Sequence, residues 1–274
     1  MGHDPSVNGS ARKGERHPNP VEEPDKPDKT PTGRSDNAEV NEIRQQFHGQ
    51  LDDLRIDVVR LGLMTTDAIT AGTEAFLEAD LVAADHVIHA DRAIDELTHS
   101  LEERCYTTLA RQQPMASDLR IVVAVLRTIH ELERTGDLMV NVAKTTRRIY
   151  PVELPDPVRR IVESMGRQAA LQLRVAIEAF AESDCARAMA LEDMDDTMDD
   201  LQRDLFRTIF ALGRADEAGL QQSVQVALVG RFYERMADHA VNIGERVTYM
   251  VTGEMPGAEG NGEIPGDGLG ITLD

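Results

Sequence analysis

The pattern Glu-Arg-x-x-Asp-x-x-Val-Asn occurs twice in this chain, as ERTGDLMVN at residues 133–141 and as ERMADHAVN at residues 234–242. Positions four apart lie one above the other on an α-helix, so each copy presents Glu, Asp and Asn oxygens on one face. Like charges at this spacing repel by about 0.2–0.5 kcal/mol per pair. A sequence that places such charges together twice needs a compensating partner, and a cation is the simplest one.

Apolar residues recur every three or four positions in six long segments, which predicts six amphipathic helices. A second acidic pattern, Asp-x-x-x-Asp-x-Leu, occurs at residues 91–97 and again at 195–201, an offset of 104 residues. The motif pair at 133 and 234 repeats with an offset of 101, so the second half has a slightly shorter turn. The sequence therefore predicts an all-α fold of two tandem three-helix bundles, at residues 39–150 and 156–252, related by internal duplication.

Several helix ends can also be placed. Asp80 and Asp184 precede the second and fifth apolar stripes and are expected to cap those helices. Either Ser117 or Asp118 is expected to cap the third helix in the same way. A turn at Gly213 is expected to separate the fifth helix from the sixth.

The two ends of the chain differ from the middle in composition. Residues 1–38 combine prolines and charges with almost no apolar side chains, so they predict a disordered Pro-rich tail. Residues 253–274 are rich in glycine and predict a flexible tail.

Composition and charge exclude several classes of function. The formal net charge of −20 disfavours binding to nucleic acid, which depends on Lys and Arg contacting phosphates, and it disfavours an anionic membrane surface. No apolar run is long enough to span a bilayer. The only two cysteines, Cys105 and Cys185, form no disulfide framework. We therefore expect a soluble cytoplasmic protein without direct membrane insertion.

Each half carries acidic residues along the border of its apolar stripes, on its second and third helices. If those helices pack side by side, four carboxylates and one Asn oxygen converge in each half. Oxygen ligands of this kind suit hard or borderline cations such as Mg, Mn or Fe, and the chain lacks the cysteines of a thiolate-rich zinc site. The candidate metal ligands are Asp91, Asp95, Glu133, Asp137 and Asn141 in the first half, and Asp195, Asp199, Glu234, Asp238 and Asn242 in the second.

Two other interpretations of these residues stay open. The carboxylates are also compatible with a solvated surface on which Arg134 and Arg235 form weak ion pairs with them. Glu96-x-x-His99 matches half of a ferritin-like di-iron motif, but such sites need that motif on two helices. The corresponding residues of the second half are Asp200 and Arg203.

The remaining candidates are weaker. His86 and His89 are typical of exposed helical histidines, whereas His130 and His239 have no matching histidine in the other half. Met194, like other methionines at helical spacing, is typical of core packing. No Gly-rich phosphate loop or Ser-His-Asp set is evident, so we expect a protein that is not an enzyme.

The repeats and motifs together resemble the PhoU family of phosphate-signalling proteins. The similar segments are SDLR at residues 117–120, LERTGD at residues 132–137 and YERMADHAVN at residues 233–242. The resemblance covers about residues 42–252 and leaves out only the two tails.

The resemblance implies a cytoplasmic accessory protein, usually dimeric, that couples a phosphate ABC transporter, through its ATPase subunit, to a membrane sensor histidine kinase. Such a protein holds the phosphate-starvation genes off when phosphate is plentiful. The resemblance also implies multinuclear metal clusters at the eight carboxylates named above. The identity of the metal, among iron, manganese, magnesium and zinc, stays open.

Overall fold

The computed structural model describes Met1 and residues 33–151, 153–214 and 216–254, with side chains from residue 44 onward. These residues form six α-helices and no strand. The helices are α1 (Gly33–Leu77), α2 (Leu81–Gln112), α3 (Ser117–Ile149), α4 (Asp156–Glu182), α5 (Cys185–Leu212) and α6 (Glu217–Thr252). The all-α prediction and the division into two three-helix repeats are confirmed.

Most helix ends follow from local chemistry. Asp80 caps α2 by accepting hydrogen bonds from the backbone N–H groups of Val82 and Ala83, at 2.9 and 3.0 Å. Asp184 caps α5 in the same way through the N–H of Arg187 at 3.1 Å. Both predicted caps are therefore confirmed. Gly213 ends α5 in the left-handed conformation, with φ of 56°, as its position in the sequence predicts.

The predicted cap of α3 is wrong. Ala116 precedes the first helical residue, with φ of 50° and ψ of −117°, and it makes no side-chain cap. Ser117 and Asp118 already lie within the first turn, so neither side chain is placed to cap it. Asp118 still lies near the positive end of the helix dipole, which favours a carboxylate there.

The first helix begins earlier than its apolar stripe. Periodicity predicts a start near Glu39, whereas α1 begins at Gly33. Residues 33–38 carry no large apolar side chain, so a pattern that detects burial does not detect them. Most of the predicted N-terminal tail and the C-terminal tail from residue 255 onward lie outside the described residues. The chain divides into two compact units, Met1–Glu42 and Ile43–Asp274.

Both halves of the repeat lie in the second of these units and share one hydrophobic core. Helix α2 packs on α3, α4 packs on α5 and α6, α5 packs on α6, and α3 packs on α6 across the two halves. Helices α1 and α4 cross closely. A Cβ added to Gly62 would lie 2.4 Å from Ile177, and one added to Gly166 would lie 2.5 Å from Thr73. The absence of a side chain at these two glycines allows the halves to approach each other.

A buried hydrogen bond joins α1 to α6 within this core. The Tyr233 hydroxyl lies 2.8 Å from the Thr73 hydroxyl, which itself donates to the Ile69 carbonyl at 2.6 Å. Tyr233 therefore donates to Thr73. Its side chain is fully buried, and burial raises the pKa of its phenol, so that it stays protonated.

We predict that Tyr233→Phe lowers the free energy of unfolding by about 1 kcal/mol, because it removes one buried hydrogen bond and almost no apolar surface. The matched control is Tyr106→Phe, since Tyr106 is 59% exposed. Urea unfolding of the two variants measures the difference. Equal stability of Tyr233→Phe and the parent protein would contradict this role of the bond.

Candidate metal centre

Packing of α2 on α3, and of α5 on α6, brings the predicted acidic residues of each half together. We call Asp91, Asp95, Glu133 and Asp137 the first acidic cluster, and Asp195, Asp199, Glu234 and Asp238 the second acidic cluster. In each cluster two carboxylates come from each of two neighbouring helices. Four members, Asp95, Asp137, Asp199 and Asp238, are exposed, whereas the other four are partly buried.

Asp91 is the most strongly perturbed carboxylate of the first cluster. Burial, followed by the negative charges of Asp95, Asp137 and Glu133 in that order, raises its pKa to about 6. A Cβ added to Gly136 of α3 would lie only 2.8 Å from Asp91 Oδ1. The Asp91 carboxylate therefore lies directly against the backbone of α3, and Gly136 leaves the space for it.

Glu133 shows the same coupling from the side of α3. Burial raises the pKa of its carboxyl, and the charges of Asp137 and Asp95 raise it again, whereas His130 lowers it. Asp91 and Glu133 thus each interact with carboxylates of the neighbouring helix, so the two ladders of the first half lie close enough to repel each other.

The second cluster repeats this arrangement with different supporting residues. Burial raises the pKa of Asp195, the charges of Asp238 and Asp199 raise it further, and a hydrogen bond from Gln172 lowers it. Burial also raises the pKa of Asp238. The charge of Arg231 lowers this pKa, and the charge of Asp199 raises it. The two ladders of the second half thus also face each other.

In each cluster, the Glu contacts a basic side chain that lies one turn before it on the same helix. His130 Nδ1 lies 3.4 Å from Glu133 Oε2, and Arg231 pairs with Glu234. His130 and Arg231 differ by 101 residues, the offset of the repeat. Sequence comparison by residue identity missed this pair, because one member is His and the other Arg. A search for basic character at the repeat offset finds it.

The alternative interpretation, in which Arg134 and Arg235 interact with the carboxylates, is supported for Arg235, whose charge lowers the pKa of Asp238. Burial, followed by the charges of both arginines, lowers the pKa of the His239 imidazole to about 4. His239 is therefore neutral at neutral pH. Its Nε2 lies 3.8 Å from Glu131 Oε2, a contact that is not an ion pair in this state.

The side chain of the predicted ligand Asn242 contacts the other half of the repeat. Asn242 Nδ2 donates to Glu131 Oε1 at 3.4 Å, so its side chain contacts α3 of the other half. Asn141 is partly buried, and its backbone carbonyl accepts a hydrogen bond from the Thr145 hydroxyl at 2.9 Å. The interface between α3 and α6 thus holds Asn242 with Glu131 and His239.

The donor set of both clusters suits a hard or borderline divalent cation, because it consists of carboxylate oxygens that repel one another. As their side chains stand, no three His, Cys, Asp or Glu residues within the described ranges converge as metal ligands. Two to four carboxylates of each cluster would have to turn towards a common point. Side chains on the exposed rim, such as Asp95 and Asp199, have the freedom to do so.

The family model of the PhoU domain matches this chain twice, at residues 58–146 and 162–247. The chain belongs to the PhoU family. Each match contains one complete acidic cluster. The recognition made from the sequence motifs is therefore confirmed.

Two mycobacterial relatives show the extent of the likeness. The chain is 37% identical to the phosphate-specific transport system accessory protein PhoU homolog 1 of Mycobacterium tuberculosis, over 78% of this chain and 96% of that protein. It is 36% identical to PhoU homolog 2 of the same organism, over 78% of this chain and all of that one.

Solved PhoU structures share the fold. The crystal structure of PhoU from Pseudomonas aeruginosa matches with a TM-score of 0.72 and 28% identity, over 76% of this chain and all of that one. The phosphate transport system regulatory protein PhoU from Streptococcus pneumoniae matches with a TM-score of 0.70 and 27% identity, over 76% of this chain and 98% of that one.

Other candidate ligands of this PhoU-family chain have local partners. Glu96 pairs with Arg92 at 2.8 Å, and His99 lies 3.5 Å from Glu103. His89 Nδ1 lies 2.8 Å from the Asp85 carbonyl oxygen. These contacts on the exposed face of α2 do not bring Glu96 and His99 to the acidic cluster. No helix of the described chain is both apolar and long enough to cross a membrane.

We predict that Asp91→Asn stabilises the metal-free protein. The raised pKa means that the folded state binds the proton more tightly, so stability from this group is full below about pH 4 and is lost as the pH rises through about 6. With chelator present at about pH 7.5, the free energy of unfolding of the variant should exceed that of the parent by about 1 kcal/mol, a figure that allows for solvent screening.

The pH dependence provides the internal control for this prediction. The difference between Asp91→Asn and the parent should shrink towards about pH 4, where both side chains are neutral. Asp52→Asn, at an exposed carboxylate of α1, is the matched control and should show no such gain. A variant no more stable than the parent at neutral pH would contradict the repulsion inferred for the first cluster.

Proposed function

We propose that this chain is an accessory and regulatory protein of a phosphate transport system. It binds divalent metal ions at its two acidic clusters and couples the transporter ATPase subunit to a sensor histidine kinase. Through these contacts it holds the phosphate-starvation response off when phosphate is abundant. The observation that carries the proposal is the likeness to phosphate-specific transport system accessory proteins over 78% of the chain.

The geometry supports a role through contacts with other proteins. The candidate ligands lie on the faces of paired helices, with half of the carboxylates exposed. Asp91 and Glu133 with their exposed neighbours would hold a cation in the first cluster, and Asp195 and Glu234 with theirs would hold one in the second. A bound cation supplies positive charge that offsets the repulsion between the paired helices. We propose that this charge orders the helix faces that partners contact.

A metal-free helical adaptor is the second candidate function. It is favoured by the lack of three converged ligand side chains within the described residues. The two candidates make opposite predictions about the metal content of the purified protein. We propose in both cases that the protein acts in the cytoplasm as a homodimer, which light scattering in solution would detect as twice the chain mass of 30.3 kDa.

We predict that alkaline phosphatase activity in phosphate-rich medium rises when the gene for this chain is deleted, because the phosphate response is no longer held off. Activity should return to the parent level on complementation. M. tuberculosis contains two homologs that both resemble this chain, so the deletion strain should lack every copy of the family. Unchanged activity in such a strain would contradict the regulatory role.

We predict that Glu133→Ala combined with Glu234→Ala reduces the metal content of the purified protein, because each change removes a ligand from one cluster. Elemental analysis by mass spectrometry measures it. The matched control is Glu96→Ala combined with Asp200→Ala, which removes the same charge from exposed positions of α2 and α5 outside the clusters. Equal metal content in all three proteins would exclude the proposed ligands.

A further inference from the structure

The two acidic clusters differ in what lies beneath them. In the second half, α4 presents Gln168 and Gln172 towards α5. At the repeat offset of 104 residues, the corresponding positions of α1 in the first half are Met64 and Ala68. The duplication therefore preserved the carboxylates but not the residues that support them.

Gln172 contacts the second cluster directly. Its side chain is fully buried, and its Nε2 donates to Asp195 Oδ1 at 3.3 Å. Its Oε1 is also buried and has no hydrogen-bond partner. A buried amide oxygen without a partner costs free energy, so packing between α4 and α5 alone would favour an apolar residue here. The amide is thus a buried polar group that faces the carboxylates.

Gln168 shows what a purely structural glutamine does on the same face of α4. Its Nε2 donates to the backbone carbonyl of Met194 at 2.8 Å and does not contact a carboxylate. This bond already ties α4 to α5 immediately before Asp195. The contact made by Gln172 is therefore not needed to fix the position of α5.

The first half has an apolar cavity where the second half has these amides. A mostly apolar cavity of about 400 Å³ is lined by Met64 and Ala68 of α1 and by Val87, Ala90 and Ile94 of α2. Its lining also includes Asp67 and His86. Ala90 corresponds to Met194 at the repeat offset. Asp91 follows Ala90 in the chain, and neither α1 position that corresponds to Gln168 or Gln172 carries an amide.

A hydrogen bond to a ligating carboxylate fixes the orientation of that carboxylate and tunes its affinity for the metal. We propose that Gln172 is a positioning residue for Asp195, and that the second acidic cluster consequently binds a divalent cation more tightly than the first. This inference rests on the proposed metal binding. It adds an order of filling: the second cluster fills at a lower concentration of free cation than the first.

The test measures Mn²⁺ affinity by calorimetry in full-length proteins in which one cluster has been disabled. Asp91→Asn with Glu133→Gln leaves the second cluster, and Asp195→Asn with Glu234→Gln leaves the first. We expect the second cluster alone to bind Mn²⁺ about 10–100-fold more tightly than the first alone. In the protein that retains the second cluster, Gln172→Met should remove this advantage, because methionine keeps the volume and loses the amide.

Two further variants and one stability measurement separate positioning from a general effect on the fold. Gln168→Met, the matched control, should leave Mn²⁺ affinity unchanged. Gln172→Met should unfold without metal at a urea concentration close to that of its parent, since the loss of the hydrogen bond to Asp195 and the removal of an unpaired buried amide oxygen act in opposite directions. Ala68→Gln should tighten Mn²⁺ binding in the protein that retains the first cluster, and it decides the question if Gln172→Met does not fold.

The outcomes distinguish this inference from the proposal beneath it. If the parent protein binds no Mn²⁺, the proposed metal function fails and this inference fails with it. If the parent binds Mn²⁺ but the two clusters bind equally, or Gln172→Met binds as tightly as its parent, only the role of Gln172 is overturned.

Discussion

Repulsion between partly buried carboxylates is the constraint on which the rest of this structure depends. In each half, two neighbouring helices bring negative charges together that water screens only in part. Burial and the charges of its three neighbours raise the pKa of Asp91 to about 6, in a chain that already carries a net charge of −20. A fold that keeps such an arrangement twice gives up stability in the metal-free state. That cost is offset if cations bind between the ladders.

The shared core is what holds the ladders in place against this repulsion. Helices α3 and α6, which carry the Glu-Arg-x-x-Asp motifs, pack on each other across the two halves. Contacts such as Tyr233 with Thr73, and the close crossing at Gly62 and Gly166, fix α1 and α4 against them. The two repeats therefore do not behave as independent bundles.

Much of the fold could be predicted from the sequence, because helix periodicity, N-caps and Gly C-caps are local signals. The pairing of the acidic ladders could be predicted from the duplication. Contacts between helices distant in sequence could not. The bond from Gln172 to Asp195 and the cavity next to Ala68 depend on which faces of α4 and α1 meet their neighbours. The positive φ of Ala116 is also unexpected, since alanine gives no signal for that conformation.

The most direct test of the account is the unfolding of the parent protein in urea, with chelator and then with Mn²⁺ in place of chelator. If cations offset the repulsion within both clusters, the free energy of unfolding rises with free Mn²⁺ by about 1.4 kcal/mol per site for each tenfold increase beyond its dissociation constant. The rise should be lost when the ligands of both clusters are replaced. Unfolding that does not depend on Mn²⁺ would contradict the central claim that these carboxylates are arranged for a metal.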